Sequence, residues 1–199
     1  MPNVSQSQVV PAIKNGGSQI NVYGLYSVVN PDGKGALDYP PGTTFPQSVQ
    51  NFVGSWNATG GSGGADFRLG RFAFGQPALG FRYNYSNGNF GKEVTYMFGP
   101  ELHYEYGKFR PYGMIMFGKG DVTYPTKFVD DSIVYQFGGG VDYHLTHRWS
   151  LRLFDFQYQL WNLGTHEYPA GALPGQPAVA LDTTLRPYSL NFGIMFRVF

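Results

Sequence analysis

The stretch Leu190-Asn191-Phe192-Gly193-Ile194-Met195-Phe196-Arg197-Val198 puts a large apolar side chain on every even position, with Asn, Gly, Met and Arg between them. Side chains on a strand alternate between faces, so this segment has one greasy face and one that is small or polar. A soluble sheet must cover such a face with a second layer of protein. A barrel in a bilayer leaves that task to lipid. The pattern recurs upstream. Leu79, Phe81, Tyr83 and Tyr85 oppose Gly80, Arg82, Asn84 and Ser86; Val94, Tyr96, Phe98, Leu102 and Tyr104 oppose Thr95, Gly99, Glu101, His103 and Glu105. Farther along, Ile133, Tyr135, Phe137, Val141, Tyr143 and Leu145 oppose Gln136, Gly138, Gly140, Asp142 and His144. Full charges and glycines on one face suit a narrow barrel lumen, which has room for side chains alone.

Strand-like segments fall near 18–29, 62–73, 78–86, 93–106, 109–123, 131–146, 149–162 and 185–198. Tight connections alternate with larger ones, the order expected of an all-β, eight-stranded antiparallel up-and-down transmembrane barrel. Its tight turns are periplasmic and its longer loops extracellular. The reading is a single barrel domain over 18–199 with long loops at about 30–61 and 164–184, preceded by an N-terminal periplasmic extension over 1–17. The first residues, Met-Pro-Asn-Val-Ser-Gln-Ser-Gln, have neither a basic nor an apolar leader region. An envelope destination therefore implies a signal peptide removed from this sequence. Segment 149–162 changes phase: Trp149, Leu151 and Leu153 give way to Phe156, Tyr158 and Leu160, which predicts a β-bulge near Phe154-Asp155. Segment 109–123 leaves its faces open, because Met114 and Met116 oppose Ile115 and Phe117.

Composition agrees. Charged residues make up 14% of the chain, well under the roughly 25% of an average soluble domain, while aromatics reach 18%. No run approaches the roughly 18 apolar residues of a membrane helix. A net charge of +1 without a basic cluster argues against a nucleic-acid partner, and the absence of Cys excludes disulfides and thiolate chemistry.

Buried charges persist only when paired and hydrogen-bonded. Asp66, Glu101, Glu105, Asp142 and Asp155 are therefore expected to face Arg68, Arg82, Arg110, Arg152 and Arg197 across the lumen, with Tyr112 and Gln157 adding bonds. Filling the interior outweighs gating a water or ion path as the role of this network. His103 can approach Glu101 or Glu105, and His144 can approach Asp142. Neither pair has convergent metal spacing, so no metal and no cofactor is expected. An acyl-transferring enzyme needs Ser, His and a carboxylate within reach. The nearest candidate, His147-Arg148-Trp149-Ser150, falls at the periplasmic end, away from the outer leaflet, so no catalysis is expected. Gly138-Gly139-Gly140 lies inside a strand with no helix after it, which excludes a phosphate loop. Trp149 and Trp161, with Tyr26, Tyr143 and Tyr188, are expected in the interfacial aromatic belts.

Phe98-Gly99-Pro100-Glu101, Phe109-Arg110-Pro111-Tyr112 through Phe117-Gly118, Phe137 to Asp142, Arg152 with Asp155 and Tyr158, and Gly193 to Arg197 together resemble the small eight-stranded outer-membrane barrels with an OmpA-like fold. The likeness covers about 78–199 well and 18–73 loosely. It implies a bacterial outer-membrane location, contact with outer-membrane lipid, and insertion by the barrel assembly machinery, which reads a terminal aromatic on the lipid face. Alternation puts Phe196 and Val198 on that face here, leaving Phe199 over. The expected role is structural or surface-interacting through the long loops, whose Tyr39, Phe45, Phe52, Trp56, His166 and Tyr168 could meet a protein or surface partner. A narrow ion or water channel and a soluble lipocalin-like carrier are the alternatives. The carrier requires the opposite distribution, apolar inside and charged outside.

Overall fold

Alternation along each segment lets antiparallel neighbours share one inward and one outward face, and the sheet they make closes on itself. The computed structural model describes residues 18–30, 58–88, 91–123, 129–168 and 179–198, apart from the side chains of 130, 163–168 and 179–184. The strands are β1 (Gln19–Asn30), β2 (Ala58–Arg68), β3 (Gln76–Gly88), β4 (Gly91–His103), β5 (Phe109–Thr123), β6 (Val129–His144), β7 (Trp149–Tyr168), β8 (Val179–Leu185) and β9 (Tyr188–Arg197). Each pairs antiparallel with its neighbours, β1 closes on β9, and β7 pairs with β6 on one side. On its other side β7 pairs with β9 over its first half and with β8 over its second, so β8 and β9 are two lengths of one stave. The result is a closed barrel of eight staves. Pro187 has no N–H for the ladder, and at this break its carbonyl accepts from the Gln159 amide at 2.8 Å.

Tight turns over 69–75, 104–108 and 145–148 lie at the end where β1 begins and β9 finishes, the turn end; the opposite strand ends, at Asn30 and Ala58, Gly88 and Gly91, Thr123 and Val129, and Tyr168 and Val179, make the loop end. The expected regular alternation of loop lengths is corrected at two places. Strands β3 and β4 run to Gly88 and Gly91, and β7 and β8 occupy 164–168 and 179–184, about half of the stretch expected as a loop over 164–184. The extension over 1–17, the aromatics Tyr39, Phe45, Phe52 and Trp56, and Phe199 lie outside the described residues, as do the side chains of His166 and Tyr168.

A further correction concerns β2, which begins at Ala58, so that Ala58-Thr59-Gly60-Gly61 of the expected loop is strand, and which ends at Arg68, short of the expected 73. Glycine is poor in strands unless close approach requires it. Here it does: a Cβ at Gly60 would strike the Tyr85 carbonyl, and one at Gly64 would strike the Tyr23 ring. The bulge in β7 falls at Leu153-Phe154, both exposed, one residue before the expected place. It turns Arg152 and Asp155 inward together, their nearest charged atoms 3.6 Å apart. On β5 the methionines face in, while Ile115 and Phe117 face out.

Candidate functional site: the barrel lumen

The charges collect in the lower half of the lumen, toward the turn end, because the inward positions of β2, β4, β6 and β7 there carry acids and arginines. Asp155 is the hub. Its carboxylate accepts from Arg82 Nη1 and Nη2 at 2.9 and 3.0 Å, from Gln157 Nε2 and Asn191 Nδ2 at 2.8 Å each, and from the Tyr112 hydroxyl. Asp142 accepts from Arg152 Nε at 2.8 Å and lies 3.6 Å from Arg68, which itself donates to Asp66 at 2.6 Å. The Arg152 guanidinium also lies 4.5 Å from the ring centre of Tyr23 and 4.4 Å from that of Tyr112, a double cation–π contact that shields its faces. All of these acids and arginines are buried. Such charges are tolerable only because each is matched by an opposite charge and hydrogen bonds.

Of the residues expected in this network, Asp66, Arg68, Arg82, Asp142, Arg152 and Asp155 form its centre, and Glu101 pairs with His103 at 2.9 Å beside it. Glu105 is corrected: it sits in the turn over 104–108, partly exposed, where Arg110 donates to it at 3.0 Å and exposed Arg71 also pairs with it. Arg197 likewise reaches only the turn-end rim, partly exposed. His144 does not engage Asp142 by a hydrogen bond; its Nδ1 lies 2.9 Å from the Ser150 hydroxyl. Ser150 thus meets His144, not His147.

Above the charges runs a belt of neutral polar groups. Trp161 Nε1 donates to Gln159 at 2.9 Å, and Gln159 donates to Gln136 at 3.0 Å. Asn84 donates to Gln136 at 3.3 Å and to Thr95 at 2.8 Å, while accepting from Ser62 at 2.5 Å. Trp161 is therefore corrected. It is 0% exposed and inside the barrel, lying over Gly120 and beside Val134. Its parity follows from the bulge, which shifts every later residue of β7 by one. Tyr26, Trp149 and Tyr188 face outward and exposed, and Tyr143 faces outward and is half-buried. With single-Trp variants in bilayers of brominated lipid, emission of the Trp161-only protein is expected to survive while that of the Trp149-only protein is quenched.

Asp66, Glu101 and His103 offer ligand atoms within 4.8 Å of one another, a grouping that sequence spacing does not reveal. Both Asp66 oxygens are already held by Arg68, and Glu101 Oε2 is held by His103. A cation would have to displace the guanidinium, so the trio reads as part of the ion-pair network. Asn21, Tyr23, Gln136, Gln159 and Asn191 also belong to the filling and are legible from inward parity alone. Glu93, buried near the loop end, was missed for want of extending that parity to the tip of β4.

No protein-family model matches the chain, and no curated protein matches it. Solved structures do. Neisserial surface protein A is 12% identical over 90% of this chain and 96% of its own, with a TM-score of 0.48. Outer membrane protein AlkL is 14% identical over 99% and 96%, with a TM-score of 0.48. The N-terminal β-barrel domain of Pseudomonas aeruginosa OprF is 13% identical over 90% and 98%, with a TM-score of 0.41.

What makes this a membrane barrel is its own surface. Phenylalanine, tyrosine, leucine and isoleucine ring the outside, and buried arginines and carboxylates fill the inside. On β5 the outward apolar run from Phe109 to Phe117 matches the roughly 9–11 residues of a spanning strand. Exposed Lys119, 2.9 Å from exposed Asp131, marks where it ends toward the loops. This is the reverse of a lipocalin-like carrier and the distribution of an outer-membrane barrel.

Proposed function

We propose that this integral outer-membrane barrel is a non-conducting scaffold whose function lies in the connections it presents at the loop end. The observation that carries this reading is the Asp155 hub. It joins Arg82 of β3, Tyr112 of β5, Gln157 of β7 and Asn191 of β9 directly, and Tyr23 of β1 through Arg82, with side chains reaching across the lumen. The amide belt lies above it as a second layer. A water or ion path would have to part both layers, breaking paired buried charges that cost several kcal/mol each to separate.

Planar-bilayer recording tests the closed lumen. Wild-type protein is expected to give no discrete current steps; steps altered by Arg152→Ala would overturn the scaffold reading in favour of a narrow channel. The role of the connections rests on length and chemistry. Residues 31–57 carry Tyr39, Phe45, Phe52 and Trp56, and aromatic-rich loops on a rigid frame are common binding elements. The partner class is a protein or another surface component. Deleting 31–57 and 169–178 together should leave the barrel inserted and abolish partner association. Unchanged association would sink the loop role.

A further inference from the structure

The geometry points to a binding site for an ammonium-sized monovalent cation in the lumen mouth at the loop end, with Glu93 as its counter-charge. Glu93 is 7% exposed, and among the described residues it is the buried carboxylate with neither an Arg nor a His within ion-pair reach; Asp66, Glu101, Asp142 and Asp155 each have one. One of its oxygens accepts from the Ser86 hydroxyl at 3.1 Å, and the other, Oε1, has no partner. A bare ionised carboxylate buried without a counter-charge is strongly unfavourable.

Register explains the space beside it. Ser27, Gly60, Ser86 and Glu93 form one cross-strand row through β1 to β4. Ser27 and Ser86 of that row carry short side chains that leave space beside Glu93. A cavity of about 30 Å³ opens there, lined by Glu93 together with Ser27, Asn84, Thr95, Gln157 and Ser189 among others. That volume suits a small group, since roughly 10–15 Å³ on this measure is enough to hold one water. The lining supplies one formal negative charge and several neutral oxygens. Sites for hard divalent ions usually combine more carboxylate charge than this. A single carboxylate among hydroxyl and amide oxygens suits potassium, ammonium or the terminal –NH3+ of a primary amine. The site lies above the ion-pair plug and requires no conduction, so it stands or falls separately from the scaffold role.

Thermal unfolding in detergent at pH 8 and constant ionic strength tests it, comparing tetramethylammonium chloride, too bulky for the cavity, with potassium, ammonium and ethylammonium chlorides. Wild-type protein is expected to gain about 2–4 °C in at least one of the small cations, and Glu93→Gln to gain nothing. A larger gain with ethylammonium assigns the site to primary amines, and equal or larger gains with potassium or ammonium assign it to inorganic ions. The same midpoint in all salts, or the same gain in E93Q, overturns the proposal. Wild-type infrared spectra provide a reading independent of the variant. Recorded at pH 6, the protonated-carboxyl band of Glu93 is expected to be stronger in tetramethylammonium than in the stabilising salt; a band that is the same in both also overturns it.

Discussion

Asp155→Ala is expected to cost about 3–5 kcal/mol of stability, the range for removing one partner from a buried ion pair. The variant strands Arg82, whose guanidinium makes two bonds to the missing carboxylate, and weakens the hold on Arg152. It also orphans the donors of Gln157 and Tyr112 and one bond of Asn191. Urea unfolding in lipid vesicles measures the loss. Asp155→Asn keeps shape and some acceptor capacity but not charge, so its cost should fall between wild type and Ala. A loss below 1 kcal/mol for Asp155→Ala would mean that the network is solvated and the lumen open. The partial rescue separates charge from packing, because Asn fills nearly the same volume.

The second large effect belongs to the outer surface. Phe98 is 51% exposed, midway along β4, and its ring meets that of Phe117 at a tilt, centres 4.1 Å apart, across the β4–β5 pair. Phe98→Arg places a cation against hydrocarbon, with an expected cost of about 2–4 kcal/mol near the bilayer midplane. Ile133 is more exposed, at 65%, but pairs in register with Lys119 beside the outer edge of the apolar band. Ile133→Arg should therefore cost only about 0–1 kcal/mol. The contrast is diagnostic, because a water-facing surface would tolerate both substitutions equally. Equal small costs in bilayers would remove the lipid assignment.

Much of the architecture was legible because the strand period is two residues and the solvent is different on the two sides. Wherever apolar and polar residues alternate cleanly, as in Leu79 to Ser86 or Leu190 to Val198, one face had to meet lipid and the other the lumen. Gln157 could be placed beside the charges from parity alone, whereas the face of Tyr112, on segment 109–123, stayed open. Glu105 and Arg197 could not be separated from the centre, since parity says which face a residue takes but not how far along the barrel axis it sits. The start of β2 escaped because its inward glycines carry no pattern; they are explained only by the Tyr23 ring and the β3 backbone pressing against them.

By itself, then, the sequence determined the fold class, the faces of most staves and the need for an internal charge match, since these follow from local alternation and from the cost of burying charge. Tertiary structure alone decided which acid meets which arginine, because stagger between staves sets axial level. It decided that Trp161 turns inward, because one inserted residue at Leu153-Phe154 reverses the parity of all that follows. It also decided that, among the described residues, Glu93 meets neutral groups and no Arg, Lys or His, because what faces it comes from four other strands brought round by closure of the ring.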